Sequence, residues 1–250
     1  MRVALLSDIH GNSVGFEAVL ADIERAGGVD AYWILGDLVA LGPDPVGVID
    51  RLMTLENVHL VRGNTDRYVA TGDRPPPTLA DVQARPELKP QFIEVEQTFA
   101  WTHRAIAEAG RLSWLQALRL ELRVILPDGT RFLGVHASPG RDDGDGISAG
   151  MSDPELESIL RGAATDVLCT GHTHRPMLRK VGHSTVANLG AVSLSATSDK
   201  RSSYALLTAT SAGYSVEPRL VDYDIERVIA MLEKRKHPGR AFIIRHLRTT

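Results

Sequence analysis

The chain has 250 residues, 43% hydrophobic and 24% charged, the profile of an ordinary globular protein whose core needs no disulfide or structural metal. Its 28 basic and 31 acidic residues leave a net charge of −3, which argues against partners held by broad electrostatic attraction, whether nucleic acid or anionic membrane. One cysteine, Cys169, excludes an intrachain disulfide and Cys-based zinc modules, so any metal chemistry falls to nine histidines and the carboxylates.

The opening apolar run is too short for a signal-peptide core, and no window approaches the ~18 apolar residues of a membrane span, so a cytoplasmic protein is expected. Residues 3–7 predict a strand, and 13–26 a helix with Ser13 as N-cap. An apolar run at 32–35, a helix over about 45–55 and a strand at 58–61 follow, an alternation that predicts βαβ units and a largely parallel sheet. Pro75-Pro76-Pro77 cannot be helix interior and opens a helical insertion over about 75–119. From 88 to 118, Phe92, Val95, Phe99, Ile106 and Leu115 are spaced for one buried side, lying over an edge of the sheet. Strands are then predicted at 120–126, 131–135, 167–170, 184–189, 204–208 and 214–221, with helices at 154–161 and about 224–236. Residues 227–250 carry seven Lys/Arg against one acid, read as a solvated helix end. With no repeat and no linker, residues 1–250 read as one α/β domain.

The residues just past these apolar runs carry the chemistry. Asp8-Ile9-His10-Gly11-Asn12 follows the first, Gly36-Asp37 the second and Gly63-Asn64-Thr65-Asp66 the third. His136 follows the strand at 131–135, and Gly171-His172-Thr173-His174 the one at 167–170. Ligands of open α/β sheets bind beyond the carboxyl ends of strands, and glycine before Asp37, Asn64 and His172 permits tight turns there. Alternation along an extended segment would put His172 and His174 on one side. Taken singly, each group is as well explained by a turn aspartate or a satisfied interior histidine; the joint arrangement is what points to metal. Two carboxylates, four imidazoles and one amide oxygen suit Mn, Fe, Zn or Co, and exceed one tetrahedral site. They would serve two ions ~3.5–4 Å apart if one carboxylate bridged them, the geometry that clamps a phosphoryl group. Two divalent cations against two carboxylates leave a local excess of positive charge that attracts phosphate.

Asp-x-His, Gly-Asp, Gly-Asn-x-Asp, a lone His and Gly-His-x-His, in this order, resemble the calcineurin-like metallophosphoesterases over about residues 1–225. The opening Ser7 to Asn12 and the pair Trp101-Thr102 are similar to the small bacterial and archaeal phosphodiesterase branch. The resemblance implies a four-layer α/β/β/α sandwich of two mixed β-sheets rather than a parallel sheet. It implies one ion on Asp8, His10, Asp37 and His174 and another on Asp37, Asn64, His136 and His172, with Asp37 bridging. Metal-bound hydroxide would then attack phosphorus in line with the leaving oxygen, with Asp37, Asn64 and His136 at the catalytic centre. Many relatives place a leaving-group acid where this chain has Thr65, which cannot act as an acid near neutral pH.

Four further residues are candidates for supporting the centre or meeting substrate. Asn12 would bind phosphate or close its turn, Asp66 would fix the loop, His103 would replace the missing acid, and Arg175 would grip a phosphate or make a surface ion pair. Asn188 in the late Asn-Leu-Gly turn reads as structural, Asp142 to Gly146 as a mobile acidic loop beside His136, and Cys169 as a buried strand residue. The expected function is a dinuclear metal-dependent phosphoesterase acting on a phosphodiester or nucleotide-type small molecule. Mn²⁺ leads as the ion, with Fe, Zn, Co and Ni open, and diadenosine polyphosphate hydrolysis is one specific option. The alternative is a catalytically eroded metal-binding scaffold or interaction protein, with Thr65 as the mark of erosion. A nuclease reading rests on the basic tail and is opposed by the net −3.

Overall fold

A computed structural model describes residues 1–249. Its strands are β1 (Arg2–Leu6), β2 (Ala31–Leu35), β3 (Val58–Val61), β4 (Glu121–Ile125), β5 (Arg131–Val135), β6 (Val167–Thr170), β7 (Met177–Val181), β8 (Ser184–Asn188), β9 (Ser202–Thr210) and β10 (Gly213–Val221). They form two five-stranded sheets, in the orders β10-β9-β1-β2-β3 and β4-β5-β6-β8-β7. Both are mixed. β1–β3 and β5-β6-β8 run parallel, while β9, β10, β4 and β7 pair antiparallel. The largely parallel sheet expected from the early alternation is therefore corrected to the two mixed sheets the family resemblance implied. The reason is local: β4–β5, β7–β8 and β9–β10 are joined by turns too short for a parallel crossover.

The helices are α1 (Ser13–Arg25), α2 (Pro45–Thr54), α3 (Asn64–Thr71), α4 (Leu79–Ala84), α5 (Lys89–Glu108), α6 (Leu112–Gln116), α7 (Asp153–Ala163), α8 (Ile225–Lys234) and α9 (Arg240–Arg248). Strand periodicity sorts the layers. On β1, Val3 and Leu5 face the second sheet, packing with Phe132, Val167 and Cys169 in an inter-sheet core. Ala4 and Leu6 face the other way, against Phe16, Ile23 and Ile49 of α1 and α2. α7 covers the far face of the second sheet through Leu156 and Leu160 on Leu133, Leu168 and Val186. The result is the four-layer α/β/β/α order.

Several local expectations are corrected. Asn12, not Ser13, caps α1, its Oδ1 accepting from the Gly15 N–H at 2.9 Å. The insertion is helical, built of α4, α5 and α6: α5 ends at Glu108, and Gly110, at φ 67°, turns the chain into α6. Phe99, Ile106 and Leu115 do bury together, over the helical face of the first sheet beside Tyr68 and Val69 of α3. α3, β7 and α9 were not anticipated. α9 shows that the basic tail is a docked helix, with Ile243 and Leu247 buried against Leu194 and Leu232.

Candidate metal centre

Beyond the C-terminal ends of β1 and β2 the two chain segments continue in step. Asp8 N–H donates to the Gly36 carbonyl at 3.0 Å, His10 N–H to Asp37 at 2.8 Å and Gly11 N–H to Leu38 at 2.8 Å. Asp8, His10 and Asp37 sit here at φ 57°, 50° and 55°, and His172 and His174 past β6 at 67° and 55°. Five of the seven predicted ligands thus occupy the left-handed region, which non-glycine residues rarely adopt. The preceding glycines act differently from expectation. Gly36 itself has φ 88°, but Gly63 has φ −92° and needs no special freedom. A Cβ on Gly63 would run into the Asp37 carboxylate, and one on Gly171 into Ser7 Oγ and Asp8 Oδ2. Close approach, not backbone conformation, requires glycine at those two positions.

The seven side chains converge as two adjoining clusters. In the first, His174 Nε2 lies 3.0 Å from Asp8 Oδ1 and 3.1 Å from His10 Nε2, and His10 Nε2 lies 3.5 Å from Asp37 Oδ2. Donor atoms of Asp8, His10, Asp37 and His174 all fall within 4.8 Å of one another, a grouping able to hold a metal ion. In the second, Asn64 Oδ1 lies 3.1 Å from His136 Nε2 and 3.0 Å from His172 Nδ1. His136 Nε2 is 3.4 Å from Asp37 Oδ2, so that one carboxylate oxygen faces both clusters. The extended alternation expected for His172 and His174 is corrected: their left-handed turns part the rings, one into each cluster.

The outer ring nitrogens decide what faces inward. His10 Nδ1 donates to the Ala40 carbonyl at 3.1 Å, His174 Nδ1 to Leu194 at 2.6 Å, His136 Nδ1 to Leu35 at 2.8 Å and His172 Nε2 to Gly144 at 2.7 Å. A carbonyl only accepts, so each outer nitrogen carries the proton and each neutral ring turns a lone pair inward. Inward nitrogens 3.1 Å apart in His10–His174 and 3.3 Å apart in His136–His172 would repel unless something positive lay between them. Asp8 Oδ1, fully buried and without a hydrogen-bond partner, needs the same. Protons or metal cations meet that need, and the nitrogen and oxygen donors suit a first-row divalent ion.

The charges respond accordingly. Burial works against both carboxylates, yet His174 and His136 hold Asp8 well below the usual carboxylate range. His136 and His10 likewise bring Asp37 down to about 2 against its burial. Burial opposes a charged imidazole too, but Asp37 and Asp8 push His136 up to about 10, and Asp8 raises His174. Ser7, to which the sequence assigned no role, steadies Asp8: its Oγ donates to Asp8 Oδ2 at 2.5 Å and lies 2.9 Å from the Leu35 carbonyl, the other acceptor in reach of its single proton. Only its place before Asp8 could have flagged it.

The secondary candidates divide. Asn12 closes its turn and donates to Ser193 Oγ at 3.1 Å, away from the ring nitrogens. Asp66 is buried, accepting from Leu38 N–H at 2.8 Å and Gly63 N–H at 2.9 Å, which ties the second loop to the third. Burial and the Asp37 charge raise it to about 7. His103 gives Nδ1 to the Val69 carbonyl at 2.7 Å and makes no contact with the seven among the described residues. Thr65 contributes its backbone, N–H donating to Asp37 Oδ1 at 2.9 Å. Asn188 bonds the Ile147 and Gly171 carbonyls, and Cys169 is buried in the inter-sheet core. The loop read as mobile is pinned: Asp142 is buried between Arg62 at 2.8 Å and Arg67 at 3.1 Å, which sets the Gly144 carbonyl on His172.

With this geometry in view, the model of the calcineurin-like phosphoesterase superfamily domain matches residues 1–212. The chain belongs to that superfamily. Its cluster of Asp8, His10, Asp37 and His174, able to hold a metal ion, lies within the matched residues. A metallophosphoesterase from Sphaerobacter thermophilus is 26% identical at a TM-score of 0.72, covering 98% of each chain. A hypothetical protein from Pyrococcus horikoshii OT3 shares the fold at a TM-score of 0.81 and 23% identity, over 100% of this chain and 99% of that one. Among curated proteins, the "Bis(5'-nucleosyl)-tetraphosphatase, symmetrical" of Pectobacterium atrosepticum is 37% identical over 70 residues, 28% of this chain and 25% of that one. The protein of the same name from Pectobacterium carotovorum is 31% identical over 94 residues, 35% and 34% of the two chains. The match therefore spans only a quarter to a third of the length of these relatives. Among the described residues, no helix of the chain is long and apolar enough to cross a membrane.

Proposed function

We propose that the chain is a dinuclear metal-dependent phosphoesterase, with one divalent ion on Asp8, His10, Asp37 and His174, a second on Asp37, Asn64, His136 and His172, and Asp37 between them. The observation that supports it best is the set of four imidazoles whose outer N–H groups bond main-chain carbonyls, so that four lone pairs converge on two buried carboxylates. Bound there, two Mn²⁺ ions, or Fe, Zn, Co or Ni in their place, would polarise a phosphoryl oxygen and lower the pKa of a water toward neutrality. The protein's own part is to hold the ligands rigid and dry. Asp8 and Asp37 stay ionised, the backbone N–H of Thr65 steadies Asp37 Oδ1, and Asp66 locks the loop that carries Asn64.

Thr65 brings no titratable group to the leaving oxygen, so the leaving group departs with little proton assistance. Phosphodiesters and nucleotide-type esters whose leaving groups are stable anions fit that limitation better than alkyl monoesters. The partial likeness to symmetrical bis(5'-nucleosyl)-tetraphosphatases supports a nucleoside polyphosphate as one such substrate. We further read residues 1–250 as one cytoplasmic working domain, insertion included. Metal analysis followed by a phosphoester panel under each candidate ion tests the reading. Near two ions per chain and Mn²⁺-dependent hydrolysis of bis-p-nitrophenyl phosphate, abolished by Asp37→Asn, are expected. Metal-loaded wild type as inert as Asp37→Asn across diesters, monoesters and nucleoside polyphosphates overturns it.

A further inference from the structure

Next to His174 the chain builds an open cleft of about 660 Å³, lined by Arg175, Thr197, Lys200, Phe242, Arg245 and His246 among others, a volume in the range of small-molecule sites. Its floor is the segment that positions the first cluster. Leu194 accepts from His174 Nδ1 at 2.6 Å, and Ala196 N–H donates to the His174 carbonyl at 3.1 Å. The next carbonyl, Ser195, accepts from His246 Nε2 at 2.9 Å and Lys200 Nζ at 3.2 Å. The cleft and the metal centre therefore share a wall.

The charge in this cleft is unlike that elsewhere on the molecule. Most arginines here are ion-paired, including Arg235 with Asp44 at 2.9 Å and Arg248 with Glu226 at 3.0 Å in the basic tail itself. Among the described residues, Arg175 and Arg245 have no carboxylate within salt-bridge distance, Lys200 bonds only a carbonyl, and neither Asp nor Glu lines the cleft. Arg245 lies 6.0 Å from the centre of the Phe242 ring, a contact that steadies the guanidinium without using its N–H donors. Three cations with no counter-charge among the described residues repel one another, a cost relieved by a multiply charged anion. Two guanidinium forks and an ammonium are the donors that recognise phosphate.

We propose that this cleft is the subsite for the anionic remainder of the substrate: phosphates beyond the one being cleaved, as in a nucleoside polyphosphate. The inference rests on the phosphoesterase reading of the adjoining centre and narrows its substrate to esters with at least one further phosphate group. C-terminal helix α9 then becomes a specificity element, supplying Arg245 from a position far from the metal-ligand motifs.

Calorimetric titration of the metal-loaded protein with inorganic tripolyphosphate and with orthophosphate tests this directly. In Lys200→Ala/Arg245→Ala, tripolyphosphate affinity should fall at least tenfold, while orthophosphate, too small to span both places, changes less than twofold. In turnover, the ratio of kcat/KM for a nucleoside triphosphate to that for bis-p-nitrophenyl phosphate should fall at least tenfold, through KM. Equal losses for both anions, or no loss for either, overturn the subsite. If the wild type hydrolyses no phosphoester, the phosphoesterase reading of the centre fails, and the tripolyphosphate titration still decides the cleft. The double variant with Gln in both positions keeps side-chain length, so a defect shared by both pairs belongs to lost charge and not to lost packing.

Discussion

At the scale of the residue, the centre is made by aspartate and histidine side chains held on backbone that such residues avoid. Each left-handed non-glycine residue costs on the order of 1–3 kcal/mol, and five of the seven clustered residues carry that strain together. Residue identity was legible, because Asp, His and Asn fall just past apolar runs at spacings few other functions need. Backbone conformation was not, because no residue type announces a strained aspartate, and glycine marked only its neighbourhood. Gly171 shows the difference, since its lack of a Cβ makes room for Ser7 and Asp8. Gly171→Ala should displace the Asp8 carboxylate and strip most bound metal from the purified protein, with the circular dichroism spectrum retained. Wild-type metal content in that variant would contradict the tight approach described between β6 and β1.

At the scale of the element, strands of strong apolar character were readable and weaker ones were not. β7 is an edge strand reading Met-Leu-Arg-Lys-Val, in which Leu178 and Lys180 are exposed and half-buried Arg179 takes an inward position, so apolar and polar residues do not alternate in the sequence. α3 begins on Asn64 itself, so a sequence read as the loop past β3 is already helix, held by Asp66. α9 was hidden by its charge, although Ile243 and Leu247 keep helical spacing. Between α8 and α9 lies His237, fully buried and edge-on to Trp101 of α5, ring centres 4.6 Å apart. Burial, and then Arg240, push its pKa down to about 4. The unfolded chain, with histidine near 6.5, then binds the extra proton between these values. Stability from this group is therefore complete above about pH 6.5 and lost as pH falls toward 4, by on the order of 3 kcal/mol. Urea midpoints should drop more steeply from pH 7 to 4.5 in wild type than in His237→Phe; parallel slopes would refute the assignment.

At the scale of the whole molecule, the centre lies where the two sheets meet. Asp8, His10, Asp37 and Asn64 follow strands of the first sheet, and His136, His172 and His174 follow strands of the second. Each cluster draws from both, so a bound ion ties the sheets together and should raise Tm by mass action. Metal must also displace protons, because Asp37 and Asp8 keep His136 protonated up to about pH 10 and raise His174. Affinity should therefore rise with pH between 6 and 8, with protons released on binding, measured as a buffer-dependent heat in calorimetry. A heat independent of the buffer's ionisation enthalpy would contradict that competition. The carbonyls of Leu35, Ala40, Gly144 and Leu194 that fix the four rings have a last consequence, for mutation. A main-chain oxygen survives every substitution of its own residue. The tautomers are thus insulated from the identity of the side chains at Leu35, Ala40 and Leu194, whereas Gly144, at φ 93°, is held to glycine by its own backbone.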